Sequence, residues 1–357
     1  MDLPVGMLSL ATAVPPFHLE QTEVAEFARR IYGKAFDRFP KLADVFVNAG
    51  IDRRYSVRPM EWFDQPHDWP ERTQAYLDGA GELFVNAAQQ ALDRAGMSAR
   101  DVDVVVTVSS TGIATPSLDS RAAGRMGFRP DIMRVPVFGL GCAGGVSGLS
   151  IAARLARAAP GEVVLIVVVE LCTLAFRGDR GDKADVISAA LFGDGAAAAV
   201  LRVGDDATAT TLGASAEHTW PASLDIMGWT VDPVGFGVVL SRSLPRFVEK
   251  RLAAPARRFV KNANIEAPHF IFHPGGAKVL DAVETALDLQ KGTLRDERDV
   301  LRGHGNMSAS SVLFVLEQAM KRGLRGTSVM AAMGPGFTAT FLEVTSASSR
   351  APSVLHG

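Results

Sequence analysis

Short runs of aliphatic and β-branched residues alternate along this chain with segments whose apolar positions recur every three to four residues. Residues 101–110 (DVDVVVTVSS), 134–140 (RVPVFGL) and 162–170 (EVVLIVVVE) are nearly unbroken apolar runs, the pattern of strands buried on both faces. Between them, 81–96 (GELFVNAAQQALDRAG) and 146–159 (VSGLSIAARLARAA) each carry one apolar stripe. In the second, Leu149, Ala152, Ala153 and Ala156 share a face that Arg154 and Arg157 avoid. Further on, HFIFHPG (269–275) predicts a strand leaving through a Pro-Gly turn, and AKVLDAVETAL (277–287) a helix. MSASSVLFVLEQAMKRG (307–323) predicts a helix closed by a glycine. SVMAAMGPGF and TATFLEVT (338–345) predict a closing pair of strands around Gly334-Pro335-Gly336. Buried strands alternating with helices imply an α/β fold. The scheme runs twice, over 1–203 and 204–357, with the split in a loop at 203–220, which implies internal duplication. The tail after Val344 reads as frayed.

A chain of 357 residues suffices for two domains or one large α/β unit. Its 37 basic and 39 acidic residues leave a formal net charge of −2, so no global field favours nucleic acid or an anionic membrane. The longest apolar run (163–171) is interrupted by Glu170 and is far too short to span a bilayer. The opening MDLPVGMLSLATAVPP has no basic region of a secretion signal. Two cysteines, Cys142 and Cys172, form no disulfide framework and suit a reducing compartment, so a cytoplasmic location is expected. No Cys/His spacing suggests a metal site.

Candidate chemistry starts at VFGLGCAGGVSGLS (137–150), where Gly139, Gly141 and Gly144 spell G-x-G-x-x-G. As a dinucleotide fingerprint this is weak: the loop comes late in the chain, and neither Glu162 nor Glu170 stands where a ribose-binding acid belongs. As a seat for a nucleophile it explains more. Cys142 would lie at the N-terminus of the helix starting near Gly144, where the dipole and free N–H groups favour a thiolate. A small buried cysteine in an inert turn is the commoner fate of the residue, so the reading needs partners. Among the seven histidines, His18, His67, His218 and His356 have no strand-end context. His273 ends a buried strand at the edge where ligands of open α/β sheets bind. Asn306, in GHGNMSASS, stands beside a helix start, where capping is its ordinary role.

GCAGG at Cys142, ALFGDGAAA (190–198), HPGG at His273, GNMSAS at Asn306 and GPGF (334–337) occur in this order. With them, nearly the whole chain resembles the type III polyketide synthases, the chalcone-synthase-like branch of the thiolase-fold condensing enzymes. The resemblance implies a thiolase-like five-layered αβαβα sandwich of two duplicated halves. The first half would carry the nucleophilic cysteine, the second the catalytic histidine and asparagine, and the chain would act as a homodimer. It implies that Cys142 holds the growing acyl chain, while His273 and Asn306 act on the malonyl thioester. A protonated His273 would pair with the Cys142 thiolate and lower its pKa.

Several further roles follow from the resemblance alone. Phe192 matches a gatekeeper between the coenzyme A tunnel and the cavity, and Val238 aligns with a second gatekeeper. Thr115 matches a residue that a dimer partner contributes to the cavity wall. Cys172, Ala175 and Ser308 fall on cavity-lining positions, small enough to leave room for a long alkyl chain. Coenzyme A would meet Lys41 and Arg54, with Arg53 and Arg58 as alternatives to Arg54, because Asp44 and Asn48 occupy neighbouring positions where cations are expected. The implied reaction is iterative decarboxylative condensation of an acyl-CoA starter, long-chain fatty acyl, with malonyl-CoA. Cyclisation would give an alkylpyrone or alkylresorcinol. No cofactor is expected beyond these thioester substrates, and an acyl carrier protein is the alternative donor. A ketoacyl-acyl-carrier-protein synthase III performing one condensation is a second reading, and a nucleotide-binding oxidoreductase a third. His304, two residues before Asn306, is expected to pack beside the active-site loop.

Overall fold

The structure, a computed structural model, describes residues 4–204, 209–266 and 268–346. Its first half opens with β1 (Val5–Ala13), β2 (Phe17–Glu20), α1 (Gln21–Ile31), α2 (Gly33–Arg38), α3 (Asp44–Asn48), β3 (Arg53–Ser56) and α4 (Trp69–Ala95). Then come β4 (Val104–Val108), α5 (Leu118–Met126), β5 (Met133–Val137), α6 (Gly144–Ala158), β6 (Val164–Leu171), α7 (Lys183–Leu191) and β7 (Asp194–Val203). The second half begins with β8 (Thr210–Thr219), β9 (Met227–Asp232), β10 (Gly235–Leu240), α8 (Leu244–Arg251), α9 (Ala253–Asn262) and β11 (His269–Phe272). It closes with α10 (Ala277–Ala286), α11 (Arg295–His304), α12 (Ser311–Lys321), β12 (Gly326–Gly334) and β13 (Thr338–Ser346).

Nine strands join in the order β11-β12-β13-β8-β1-β7-β6-β4-β5. First-half strands occupy one side and second-half strands the other. The halves meet at β1 and β8, where only Val5↔Leu212 and Gly6↔Thr211 pair. Alternation along β6 explains why EVVLIVVVE is apolar throughout. Ile166 joins the core formed by α6 and α12, while Leu165 and Val167 face the core under α4. The central helices serve both halves: Leu149 of α6 and Leu316 of α12 share one core with Val106 on one side and Met330 on the other. Phe84 of α4 and Leu118 of α5 cover the outer face of the first half. Val248, Phe259 and Leu280 of α8, α9 and α10 cover that of the second. The result is the five-layered αβαβα arrangement, with the central helices starting where the two halves face each other.

Four expectations need correction. Residues 134–140, expected as a strand buried on both faces, form the edge strand β5, which pairs only with β4 and leaves Met133 55% exposed. The expected loop at 203–220 contains β8, a ten-residue central strand, although its residues 205–208 lie outside the described residues. The helix expected at 81–96 starts at Trp69. Asp68 and Glu71 form a reciprocal capping box there, with a proline in the first turn; this polar opening turn shows no apolar stripe. Finally, Thr345 and Ser346 belong to β13; the remainder of the expected frayed tail, with His356, lies outside the described residues.

Candidate active site

Cys142 sits in a short 3-10 turn (Gly141–Ala143) that runs directly into α6. The glycines around it answer to packing. Gly141 holds φ +49°, and a Cβ there would lie 2.6 Å from Pro335 Cδ; a Cβ on Gly145 would lie 2.2 Å from Ala309 O. A loop of one half thus nests against two turns of the other, and protein fills the space a pyrophosphate would need. That overturns the dinucleotide reading. The Gly141 N–H donates to Ser110 Oγ at 3.0 Å, which ties the loop to the end of β4.

His273 leaves β11 with its N–H donating to Ala331 O at 2.9 Å, while its own carbonyl accepts the Gly275 N–H at 2.9 Å. Neither ring nitrogen has a hydrogen-bond partner among the described residues. Asn306 is held on both sides: its N–H donates to Leu191 O at 2.7 Å, and its carbonyl accepts the Gly193 N–H at 3.0 Å. Its side-chain Oδ1 accepts the Ser308 N–H at 2.9 Å and its Nδ2 donates to Gly275 O at 3.2 Å. These two bonds fix which end of the carboxamide is the donor and leave one Nδ2 hydrogen uncommitted.

Cys142, His273 and Asn306 line one cavity of about 90 Å³. Phe192, Val238, Cys172 and Ser308 border the same space, and Ser308 also hydrogen-bonds Cys142. Trp229, which the sequence reading passed over, enters the cavity from β9. Its Nε1–H donates to Ser110 O at 2.9 Å, and its ring meets Phe192 edge-on at 6.1 Å. A tryptophan in a short polar hairpin, GWTVDPVG, carries no helical or strand period that would have marked it as a cavity wall.

Burial dominates the electrostatics. It pushes the Cys142 thiol up to about 12 despite the Ser308 hydrogen bond, and the nearby Glu170 carboxyl adds to the rise. It also holds the His273 imidazole down at about 3. Both shifts favour the neutral forms over the expected thiolate–imidazolium pair in the unliganded protein, and no polar group among the described residues reaches the ring to stabilise a charge there. Glu170 is fully buried and its carboxyl is raised to about 7 by burial. One of its oxygens accepts the Ser110 N–H at 3.0 Å and the Thr111 hydroxyl at 2.8 Å.

Three other expected contacts lie elsewhere. Arg54, expected at the coenzyme A phosphates, is 2% exposed. Its guanidinium donates to the carbonyls of Ala189, Ala190 and Phe192 and to Gln21 Oε1, bracing the C-terminus of α7. With both terminal nitrogens committed to internal acceptors and the whole side chain buried, it has no face for a phosphate. Ala175 is buried in the turn after β6 and borders neither this cavity nor the hollow beside it. Thr115 is exposed and does not reach the cavity of its own chain. Lys41 is exposed, without an ion pair among the described residues. His304 stacks on Tyr55 at 5.5 Å and meets Phe314 at 5.0 Å, packing beside the loop as expected.

A thiol at a helix start, an imidazole and an oriented carboxamide, converging in an apolar cavity of a five-layered αβαβα fold, define an acyl-transferring condensing enzyme. Residues 4–207 match the family described as chalcone and stilbene synthases, N-terminal domain, and residues 212–346 the corresponding C-terminal domain. A 1,3,6,8-tetrahydroxynaphthalene synthase of Streptomyces peucetius subsp. caesius is 37% identical, covering 96% of this chain and 93% of that protein. Type III polyketide synthase 21 of Oryza sativa subsp. japonica is 33% identical, over 72% of this chain and 69% of its own. The crystal structure of the Streptomyces coelicolor A3(2) 1,3,6,8-tetrahydroxynaphthalene synthase superposes with a TM-score of 0.91 at 28% identity, covering 96% of this chain and 100% of that one. The chain belongs to the chalcone and stilbene synthase family, the type III polyketide synthases. It is an acyltransferase that condenses units derived from malonyl-CoA.

Proposed function

We propose that the enzyme primes Cys142 with a long-chain fatty acyl group from acyl-CoA, extends it with malonyl-CoA, and releases an alkylpyrone or alkylresorcinol. The observation that carries this reading is a second hollow of about 50 Å³ behind the catalytic cavity, which shares Cys172 and Phe192 with it. Its other walls include Leu19, Val24, Phe27 and Phe63. Such walls favour an alkyl chain over an oxygenated one, at about 0.8 kcal/mol per buried methylene.

In loading, the Cys142 sulfur attacks the acyl-CoA carbonyl and its proton passes to neutral His273; coenzyme A leaves as the thiol with that proton. In extension, malonyl-CoA loses carbon dioxide, and the electron pair of the broken bond forms an enolate. The enolate oxygen accepts hydrogen bonds from the His273 N–H and the Asn306 Nδ2–H. Its carbon then attacks the Cys142 thioester, forming the new carbon–carbon bond and expelling the thiolate. Neutrality at rest suits this cycle, because charge appears only when a substrate is present to receive it.

We further propose a homodimer, cytoplasmic and joined along β5. That strand has no second neighbour in the sheet; exposed Met133 opens it, exposed Phe138 follows it, and exposed Ile113 lies in the loop after its neighbour β4. Exposed Thr115 lies in the same loop as Ile113, between β4 and α5. Sedimentation should give twice the monomer mass.

Trp229 favours a second reading, in which malonyl-CoA itself primes the enzyme. Its ring occupies space that a bulky starter would need, and the 37% identical Streptomyces relative is named for tetrahydroxynaphthalene. The test incubates purified protein with malonyl-CoA and acyl-CoA starters from short to long, with products identified by mass spectrometry. Triketide and tetraketide products carrying a long alkyl chain are expected. Products from malonyl-CoA alone, indifferent to added starters, establish the second reading. A β-ketoacyl thioester from a single condensation overturns both.

A further inference from the structure

Helix α7 ends at the catalytic cavity, where Leu191 and Phe192 form part of the wall. The last turn of a helix leaves its carbonyls without partners inside the helix, and here each is met from outside or by the cap. Ser188 O accepts the Phe192 N–H at 2.9 Å. Ala189 O and Ala190 O accept from the Arg54 guanidinium, at 2.8 Å from Nη1 and 2.9 Å from Nη2. Leu191 O accepts the Asn306 N–H at 2.7 Å. Phe192 O accepts a second bond from Arg54 Nη1, at 3.0 Å. Along the carbonyls of residues 189 to 192, Arg54 therefore holds every one except Leu191 O, which Asn306 takes.

The same two residues also meet through the packing. Phe192 and Asn306 form a parallel bridge, closed by the Gly193 N–H donating to Asn306 O at 3.0 Å. Glycines beside that bridge make room for the arginine stem. A Cβ on Gly193 would stand 3.2 Å from Arg54 Cβ, and one on Gly305 would stand 3.5 Å from it. Gln21, which opens α1, accepts from Arg54 Nη2 and itself donates to Ala190 O at 3.1 Å. Arg54 Nε is buried without a partner among the described residues, so the side chain works through its terminal fork. A lysine has one nitrogen where the fork has two, and cannot reproduce that span. The Asn306 carboxamide is fixed at its tip by Gly275 O and the Ser308 N–H, while its root hangs on the end of α7. If that end loosens, Leu191 O and the Gly193 N–H shift, and Asn306 Nδ2 shifts with them. A misplacement of about 1 Å caused away from the chemistry can cost ~10²-fold in rate.

We propose that Arg54 is a positioning residue for malonyl decarboxylation, acting through Asn306 by fixing the end of α7 from which that carboxamide is hung. This rests on the reading that Asn306 donates to the malonyl enolate. The test is a double-mutant cycle read as carbon dioxide release from malonyl-CoA. Arg54→Lys and Arg54→Met are each made in the parent and in Asn306→Ala. In the parent, kcat should fall about tenfold with lysine and about 10–10²-fold with methionine. In Asn306→Ala each should change kcat less than twofold, because the donor being positioned is gone. Alkylation of Cys142 by iodoacetamide should stay within twofold of the parent throughout, since neither α7 nor the bridge carries that thiol. Where the methionine variant does not fold, the lysine variant carries the cycle.

Unchanged decarboxylation in the parent background overturns the positioning role. So does a loss of equal size in both backgrounds, or one that Cys142 alkylation follows in step, because either marks Arg54 as a general prop of the fold. If Asn306→Ala alone decarboxylates as fast as the parent, the donor reading itself fails and takes the positioning role with it.

Discussion

Two regions of the molecule, the catalytic cavity and a basic hollow at the surface, treat charge in opposite ways. At the catalytic end, burial holds both Cys142 and His273 in their neutral forms, and Glu170 beside them is pushed toward its acid form. At the surface between α2 and α7, Lys34, Arg38 and Lys183 line a hollow with no carboxylate partner among the described residues. The difference follows from where each charge sits. Standing charge costs little at the surface, where water screens the cations. A charge that exists only during reaction is best met by neutral donors in a dry cavity, where each hydrogen bond is strengthened by the low dielectric.

The contrast breaks most visibly at the sulfur. Cys142→Ala should lower polyketide formation by at least ~10⁴-fold, measured by product mass spectrometry, because the acyl chain loses the thiol at the start of α6 that carries it. The same variant should still release carbon dioxide from malonyl-CoA, since His273 and Asn306 remain to stabilise an enolate. Loss of both activities would tie decarboxylation to the thiol and defeat the division of labour. Asn306→Ala is the next largest effect. Removing one donor should slow decarboxylation by about 10²–10³-fold, while starter loading, read as the mass added to Cys142, falls less than tenfold. Equal losses in both steps would count against the donor role.

The resting state of the thiol gives a sharper measure. With the Cys142 pKa raised to about 12, alkylation of the free enzyme by iodoacetamide should accelerate about tenfold per pH unit between pH 7 and 10. A rate already level at neutral pH would mean a thiolate–imidazolium pair at rest, and the catalytic end would then carry standing charge like the hollow.

How much of this could be seen in the residues alone depended on whether chemistry and local pattern pointed the same way. At Cys142 they agreed: glycines, then a small-residue helix, marked a strand–turn–helix junction. His273 and Asn306 each stood at a turn out of a recognisable element. Arg54 misled because arginine is ordinarily a surface residue, and nothing local shows that four acceptors wait for it inside. For β5 the apolar content was read correctly, but no strand reports from its own sequence whether it has one neighbour or two. Trp229 and the cation hollow depend on segments far apart in the chain, 34–39, 183 and 229, whose meeting is a property of the fold. The three cations are scattered singly and make no run that composition would flag.

The smallest effect tests the dry end from behind. Glu297 is buried in α11, and its Oε1 accepts the Phe272 N–H at 2.9 Å, on the strand that delivers His273. Burial raises its carboxyl to about 8 from the ordinary 4.5. The folded protein then holds a proton that the unfolded chain has lost, so stability is fully present below about pH 4.5 and is lost as pH rises through about 8. Between pH 5 and 8 the loss from this one group amounts to about 3 kcal/mol. Glu297→Gln keeps an oxygen for Phe272 and cannot ionise, so it should remove that slope. Thermal melts should show the variant gaining on the parent by a few degrees from pH 5 to pH 8, at about 1–2 °C per kcal/mol from the unfolding entropy of a chain this long. Any fixed cost of the new amide is the same at both pH values and cancels in the comparison. Parallel curves for the two proteins would show that Glu297 ionises without penalty, which requires water behind β11 and contradicts a dry wall for His273.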